Sequence, residues 1–93
     1  QGKVRFPLLI FKVSGHSMDP TLRIGQFVLV NRWVLVKVGD LIVANDTQRD
    51  IKVIKRITKE VGRGKWKVES DNEGHGKPRV VTRDQIIGKV IRY

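Results

Sequence analysis

Cysteine is absent from these 93 residues, which excludes disulfides and thiolate metal sites and leaves the redox compartment unread. Histidine is limited to His16 and His75, and neither has a second ligand at metal-like spacing, so no metal or other cofactor is expected. Aromatics are few (Phe6, Phe11, Phe27, Trp33, Trp66, Tyr93) and do not interleave with basic residues. That argues against a stacking platform for single-stranded nucleic acid. No apolar run approaches the roughly 20 residues of a membrane-spanning helix, and residues 6–11 are far too short. Acid is scarce as well: nine Asp and Glu face nineteen Lys and Arg, a net charge of +10.

The positive charge is densest over residues 49–67. It suits an anionic membrane surface or nucleic acid, but also a solvated strand face with a charged hairpin, which the alternation there favours. The length fits one domain with a small core, here taken as residues 1–93. The chain opens at Gln1 without a methionine and so reads as a processed product or an excised piece, with room for a lost anchor or targeting segment upstream.

Apolar residues nowhere recur at helical spacing over a useful length. Residues 6–13 read as a largely buried strand, 27–33 as a second, and 41–44 as a third after the turn at Gly39-Asp40. Residues 51–59 alternate, and 66–69 return as their hairpin partner after Gly62-Arg63-Gly64. A loop follows over 70–78, then a brief pairing at 79–81, a helical turn at 82–85 and a last strand over 86–93. The expected fold is all-β: a small, mostly antiparallel sheet coiled into a partly closed barrel.

Two residues stand out chemically. Ser17 lies on the stiff turn 13–22, between two apolar runs, where Pro20 restricts the backbone and Gly15 offers conformations that a Cβ would resist. Lys55 shares a strand face with Ile51, Val53 and Ile57, whereas Lys52 lies on the opposite face. Burial there would disfavour the ammonium and yield a usable general base, although a snorkelling lysine fits the same pattern. A serine hydroxyl within reach of such an amine is an activated nucleophile, and the Ser17 backbone N–H could serve as an oxyanion donor.

The segment Gly15-His16-Ser17-Met18-Asp19-Pro20-Thr21-Leu22 resembles the Ser-Met-x-Pro-Thr box of the type I signal peptidases. Val53-Ile54-Lys55-Arg56-Ile57 resembles their Lys-Arg box, Ser70-Asp71-Asn72 their Gly-Asp-Asn box, and Val38-Gly39-Asp40-Leu41-Ile42-Val43 the Gly-Asp strand start between them. Four boxes in the right order cover most of residues 13–72, and residues 86–90 resemble the closing strand. The wider group includes self-cleaving SOS-type repressors and small maturation proteases, all using a serine–lysine dyad. The resemblance implies Ser17 as nucleophile and Lys55 as base. Gly15, His16, Met18, Val53 and Ile54 would line the substrate and oxyanion sites, and Pro20, Asp40, Arg56, Asp71 and Asn72 would give structural support.

It further implies an extended polypeptide substrate with small residues before the scissile bond, held by main-chain hydrogen bonds beside the strands that lead to Ser17 and Lys55. Departures exist. Gly15 stands where some signal peptidases carry a serine, and Gln26 replaces an acid. The segment after Asn72 lacks the family's Ser-x-Asp-Ser-Arg, Val53 stands where the repressors have a threonine, and the large extra domain is missing. What orients Lys55 is therefore left open, and Ser14 and Ser70 lack the turn and basic partner that recommend Ser17.

The expected function is a signal-peptidase-like serine endopeptidase, membrane-associated if an upstream anchor has been removed and soluble otherwise. A soluble maturation protease or a self-cleaving repressor domain shares the chemistry. A basic nucleic-acid-binding module is the rival of another class, and nucleic acid is the less expected partner.

Overall fold

The computed structural model describes residues 7–93. Seven strands form one antiparallel sheet: β1 (Leu8–Lys12), β2 (Phe27–Asn31), β3 (Leu41–Asp46), β4 (Ile51–Gly62), β5 (Lys65–Glu69), β6 (Arg79–Thr82) and β7 (Ile86–Arg92). A single 3₁₀ turn, Arg83–Gln85, precedes β7. The spatial order is β1-β2-β7-β3-β4-β5-β6, so the last strand in sequence inserts between β2 and β3. The expected all-β antiparallel fold is what the chain adopts. The sheet is open: β1 and β6 are its edges, and no ladder joins them among the described residues.

The sheet folds about its middle strand, whose first four residues are apolar. Leu41, Ile42, Val43 and Ala44 are all buried, as expected of a strand covered on both faces. Leu41 and Val43 join a first core with Val13, Met18, Leu22, Val28, Val30 and Val90. Ile42 and Ala44, pointing the other way, join a second core with Ile57, Trp66, Val68 and Val81. The β1-β2-β7 half thus closes over one face of β3, and the β4-β5-β6 half over the other. Alternation along β4 follows this split: Ile54 packs on the first core and Ile57 lies in the second.

Two expectations need correction. Residues 6–13 do not form a largely buried strand. Phe6 lies outside the described residues, and β1 is an edge strand with Leu8 and Ile10 exposed while Leu9 and Phe11 pack inward. An edge strand with one covered face buries alternate residues only, so an apolar run overstates its burial. The second strand stops at Asn31 rather than at residue 33, and Trp33 lies exposed in the loop after it. β3 and β4 run a few residues longer than the sequence suggests, to Asp46 and Gly62.

Candidate functional site

Ser17 lies in the excursion between β1 and β2. That excursion is pinched at its base, where the Val13 N–H donates to the Gln26 carbonyl and the Gly25 N–H to the Val13 carbonyl, both at 2.8 Å. Gly25 adopts a φ of 88°, a conformation that favours glycine. Within the excursion, Asp19 N–H donates to the His16 carbonyl (3.1 Å) and Leu22 N–H to the Met18 carbonyl (2.9 Å). Met18 and Leu22 plug the first core and hold the turn down, leaving Ser17 partly exposed between them and the solvent. Gly15 does not use its freedom: its φ is not positive, and a Cβ there would meet nothing within 4 Å.

Lys55 comes from β4, two residues before Ile57 and on the same face. The β4–β5 ladder pairs Ile57 with Val68 and Arg56 with Glu69. One step further, that register sets Ser70 opposite Lys55, and the Lys55 Nζ donates to the Ser70 Oγ at 2.8 Å. The Ser70 hydroxyl donates in turn to the His75 carbonyl at 2.7 Å. Partial burial pushes the Lys55 amine below its ordinary pKa of 10.5, the guanidiniums of Arg49 and Arg79 push the same way, and Asp46 opposes them.

The sequence shows no basic partner for Ser70; the structure gives it one, Lys55 itself. The turn at residues 62–64 does not by itself reveal this: an unbroken register from Gly62 and Lys65 would set Asn72 opposite Lys55, and two register shifts, between Ile57 and Lys59 and between Glu60 and Gly62, bring Ser70 there instead.

The following two residues tie this strand end to the serine turn. Asn72 N–H donates to the Ser17 carbonyl at 2.9 Å, and its side-chain Nδ2 to the His16 carbonyl at 2.8 Å. Asp71 accepts two bonds from Arg56, Nε to Oδ1 and Nη2 to Oδ2, both at 2.9 Å, and a third from the Thr21 hydroxyl at 2.7 Å. These donors hold the Asp71 carboxyl below its ordinary range, with the Arg56 bonds the largest cause. Arg56 also donates to the Gly39 carbonyl at 2.8 Å. There the turn is braced by buried Asp40, which accepts from the Lys37 N–H. Ser70-Asp71-Asn72 is therefore one short clamp, with Lys55 and Arg56 on one side and residues 16–21 on the other.

Ser17 and Lys55 line the same open groove of about 950 Å³. Its floor draws on both cores, Val13, Met18 and Val43 from the first and Val68 and Val81 from the second. Gly15, His16, Val53 and Ile54 line it too. His16 places its Nδ1 3.1 Å from Asp19 Oδ2. Pro20, Asp40, Arg56, Asp71 and Asn72 lie outside the groove lining. His75 is exposed, borders the groove and supplies the carbonyl that fixes Ser70. Lys52 borders the groove as well, but is exposed.

The chain is 29% identical over 100 residues to the signal peptidase complex catalytic subunit SEC11 of Metarhizium acridum (strain CQMa 102), and 30% identical over the same length to that of Metarhizium robertsii (strain ARSEF 23 / ATCC MYA-3075). Each match takes in 94% of this chain but 58% of the relative, so the chain spans a little over half the length of the curated proteins it resembles. The sequence pattern of Peptidase S24-like proteins fits residues 4–91, which include the serine turn, the lysine strand and the clamp between them: the chain belongs to the Peptidase S24-like family.

Proposed function

We propose that the protein is a serine endopeptidase of signal-peptidase type, working through a Ser17–Lys55 dyad. The observation that carries this reading is the Ser70–Asn72 clamp, which holds the lysine amine with one end and the serine backbone with the other. Neutral Lys55 has a lone pair and two N–H groups. With one N–H given to Ser70, the lone pair is free to turn towards the Ser17 hydroxyl.

The Ser17 Oγ attacks the substrate carbonyl carbon as its proton passes to the Lys55 amine. The backbone N–H of Ser17 donates to the resulting oxyanion in this reading. As the C–N bond breaks, the ammonium returns that proton to the leaving amine, and the acyl group stays on Ser17 as an ester. Water then attacks the ester while Lys55 takes a proton from it. The ester C–O bond breaks, and the proton goes back to the serine oxygen. Met18, buried beside the serine, limits water around the amine.

The substrate is an extended polypeptide with small, alanine-like residues before the scissile bond, lying between the end of β1 and residues 53–55. Membrane association of a longer chain would suit the charge of +10. Among the described residues no helix is long and apolar enough to cross a membrane.

The test compares wild type, Ser17→Ala and Lys55→Met on extended peptides with Ala-x-Ala before the cut. Loss of cleavage in both variants, with the circular dichroism of wild type retained, is the expected result. Cleavage persisting in Ser17→Ala would remove the mechanism.

A further inference from the structure

The groove carries more charge than the dyad uses. Besides Lys55 its walls hold Lys12, Arg49, Lys52, Lys77 and Arg79, and a single acid, Asp46. That acid is already committed. Its side chain is buried, accepts from Arg49 Nε at 2.9 Å and from Arg79 Nη1 at 3.3 Å, and caps the β3–β4 turn by accepting the Gln48 and Arg49 N–H groups. One buried carboxylate thus anchors two guanidiniums whose side chains are half exposed, at 58% and 50%. The pair retains net positive charge and further N–H groups that none of these contacts uses. A planar donor fork held this way is suited to a carboxylate.

Its position relative to the chemistry follows from β4. Ile51 opens the strand beside this pair, four residues before Lys55, which at strand spacing is about 13 Å. An extended peptide advances at the same rate, so the fork meets a substrate residue roughly four positions from the scissile bond. The two guanidiniums also depress the Lys55 pKa, which agrees with their facing the same space.

Resting on the endopeptidase reading above, we infer that the Arg49–Arg79 pair is a substrate-selecting subsite, and that the preferred polypeptides carry an Asp or Glu three to five residues from the cut. Lys52 and Lys77 extend the positive wall and favour acidic over basic sequences along it. The bound carboxylate takes bonds from the guanidiniums while Asp46 keeps its own.

The experiment uses fluorescein-labelled peptides of equal net charge, with Ala-x-Ala at a fixed place and one Glu moved along the sequence on either side. Binding to the Ser17→Ala protein is read by anisotropy, and cleavage by wild type is read separately. One register of Glu should bind about 10-fold or more tightly than the others, lose that advantage in high salt, and lose it in Arg79→Gln and Arg49→Gln. In cleavage, the same register should show the higher kcat/KM through a lower KM. Equal binding wherever the Glu stands would overturn the subsite and leave only general attraction to a basic protein. So would preference for a DNA duplex competitor that the arginine variants abolish while peptides stay indifferent. Because binding is read without turnover, failure of the dyad leaves this test intact. Cleavage that needs Ser17 but ignores Glu removes the subsite alone.

Discussion

Lys55 and Ser70 sit across from each other one step beyond the end of the β4–β5 ladder, joined by a 2.8 Å hydrogen bond from amine to hydroxyl. The hydroxyl is itself fixed by the His75 carbonyl, so its lone pairs have one direction left to offer. On the proposed mechanism this makes Ser70 a positioning residue for Lys55.

Ser70→Ala is therefore expected to lower kcat by roughly 10- to 100-fold with little change in KM. A hydroxyl acceptor favours the ammonium over the amine, so its loss should also move the acid limb of the rate profile to lower pH. Ser70→Thr should restore part of the rate. A pH profile of all three proteins checks this, and an unmoved limb would make Ser70 a packing residue only.

For Lys55 itself the sign of the linkage is opposite to that of a lysine held in an ordinary ion pair. Its folded pKa lies below the unfolded value near 10.5, so between the two the unfolded chain binds more protons. Stability should rise with pH across that window, and kcat/KM should rise as the amine loses its proton. Lys55→Met removes the buried charge, so its melting temperature at pH 6 should equal or exceed that of wild type while cleavage is lost. Thermal melts at several pH values decide it.

Asp71 shows the same sign in a more acidic window. Its depressed pKa means that its contribution to stability is present above the ordinary value of 3.8 and is lost as pH falls through the folded pKa. Asp71→Asn breaks a two-bond contact with Arg56 and weakens the bond from Thr21, which should cost about 2 kcal/mol near neutral pH. Urea titrations should show that cost shrinking below pH 3.8, where the native carboxylate protonates as well.

Gly15 gives a gain-of-function test. A side chain there meets open space and no forbidden φ, so Gly15→Ser should fold with a change within about 0.5 kcal/mol. A hydroxyl beside the nucleophile adds a donor for the oxyanion, and kcat should rise. An unchanged kcat would mean that the backbone already fills that role.

Gly88 is the counterexample. A Cβ at this position would lie 2.7 Å from the Asn31 carbonyl oxygen and 2.7 Å from Val30 Cγ1, so the β2 backbone would have to shift. Gly88→Ala should cost on the order of 1–3 kcal/mol, measured by denaturant unfolding.

Much of this was legible from residue order alone. Gly, Asn and Asp turns marked the strands, and the four boxes brought the family, the serine turn and the lysine strand into one frame. Other features were less legible. The burial of β1 depends on its being an edge, and edge position is a property of strand order, which local pattern does not encode. The double-sided burial of β3 was present in its unbroken apolar run, yet only the insertion of β7 beside it explains why. Ser70 looked unpartnered because its partner lies fifteen residues upstream, and only a hairpin register brings them together. The Asp46–Arg49–Arg79 cluster was hidden for the same reason, since Arg79 arrives from β6, thirty-three residues on.

The sharing of β3 between two cores has a consequence for motion. The serine turn rests on one core and the lysine on the face of the other, so twisting of either half about an independent axis would pull the two groups apart. A common strand removes that axis. Both halves ride on the same backbone, and the tripeptide 70–72 spans the seam above it, so thermal twisting should carry Ser17 and Lys55 together. The amides of Ile42 and Val43 should accordingly be among the slowest to exchange with deuterated solvent, outlasting those of β1 and β6 at the edges.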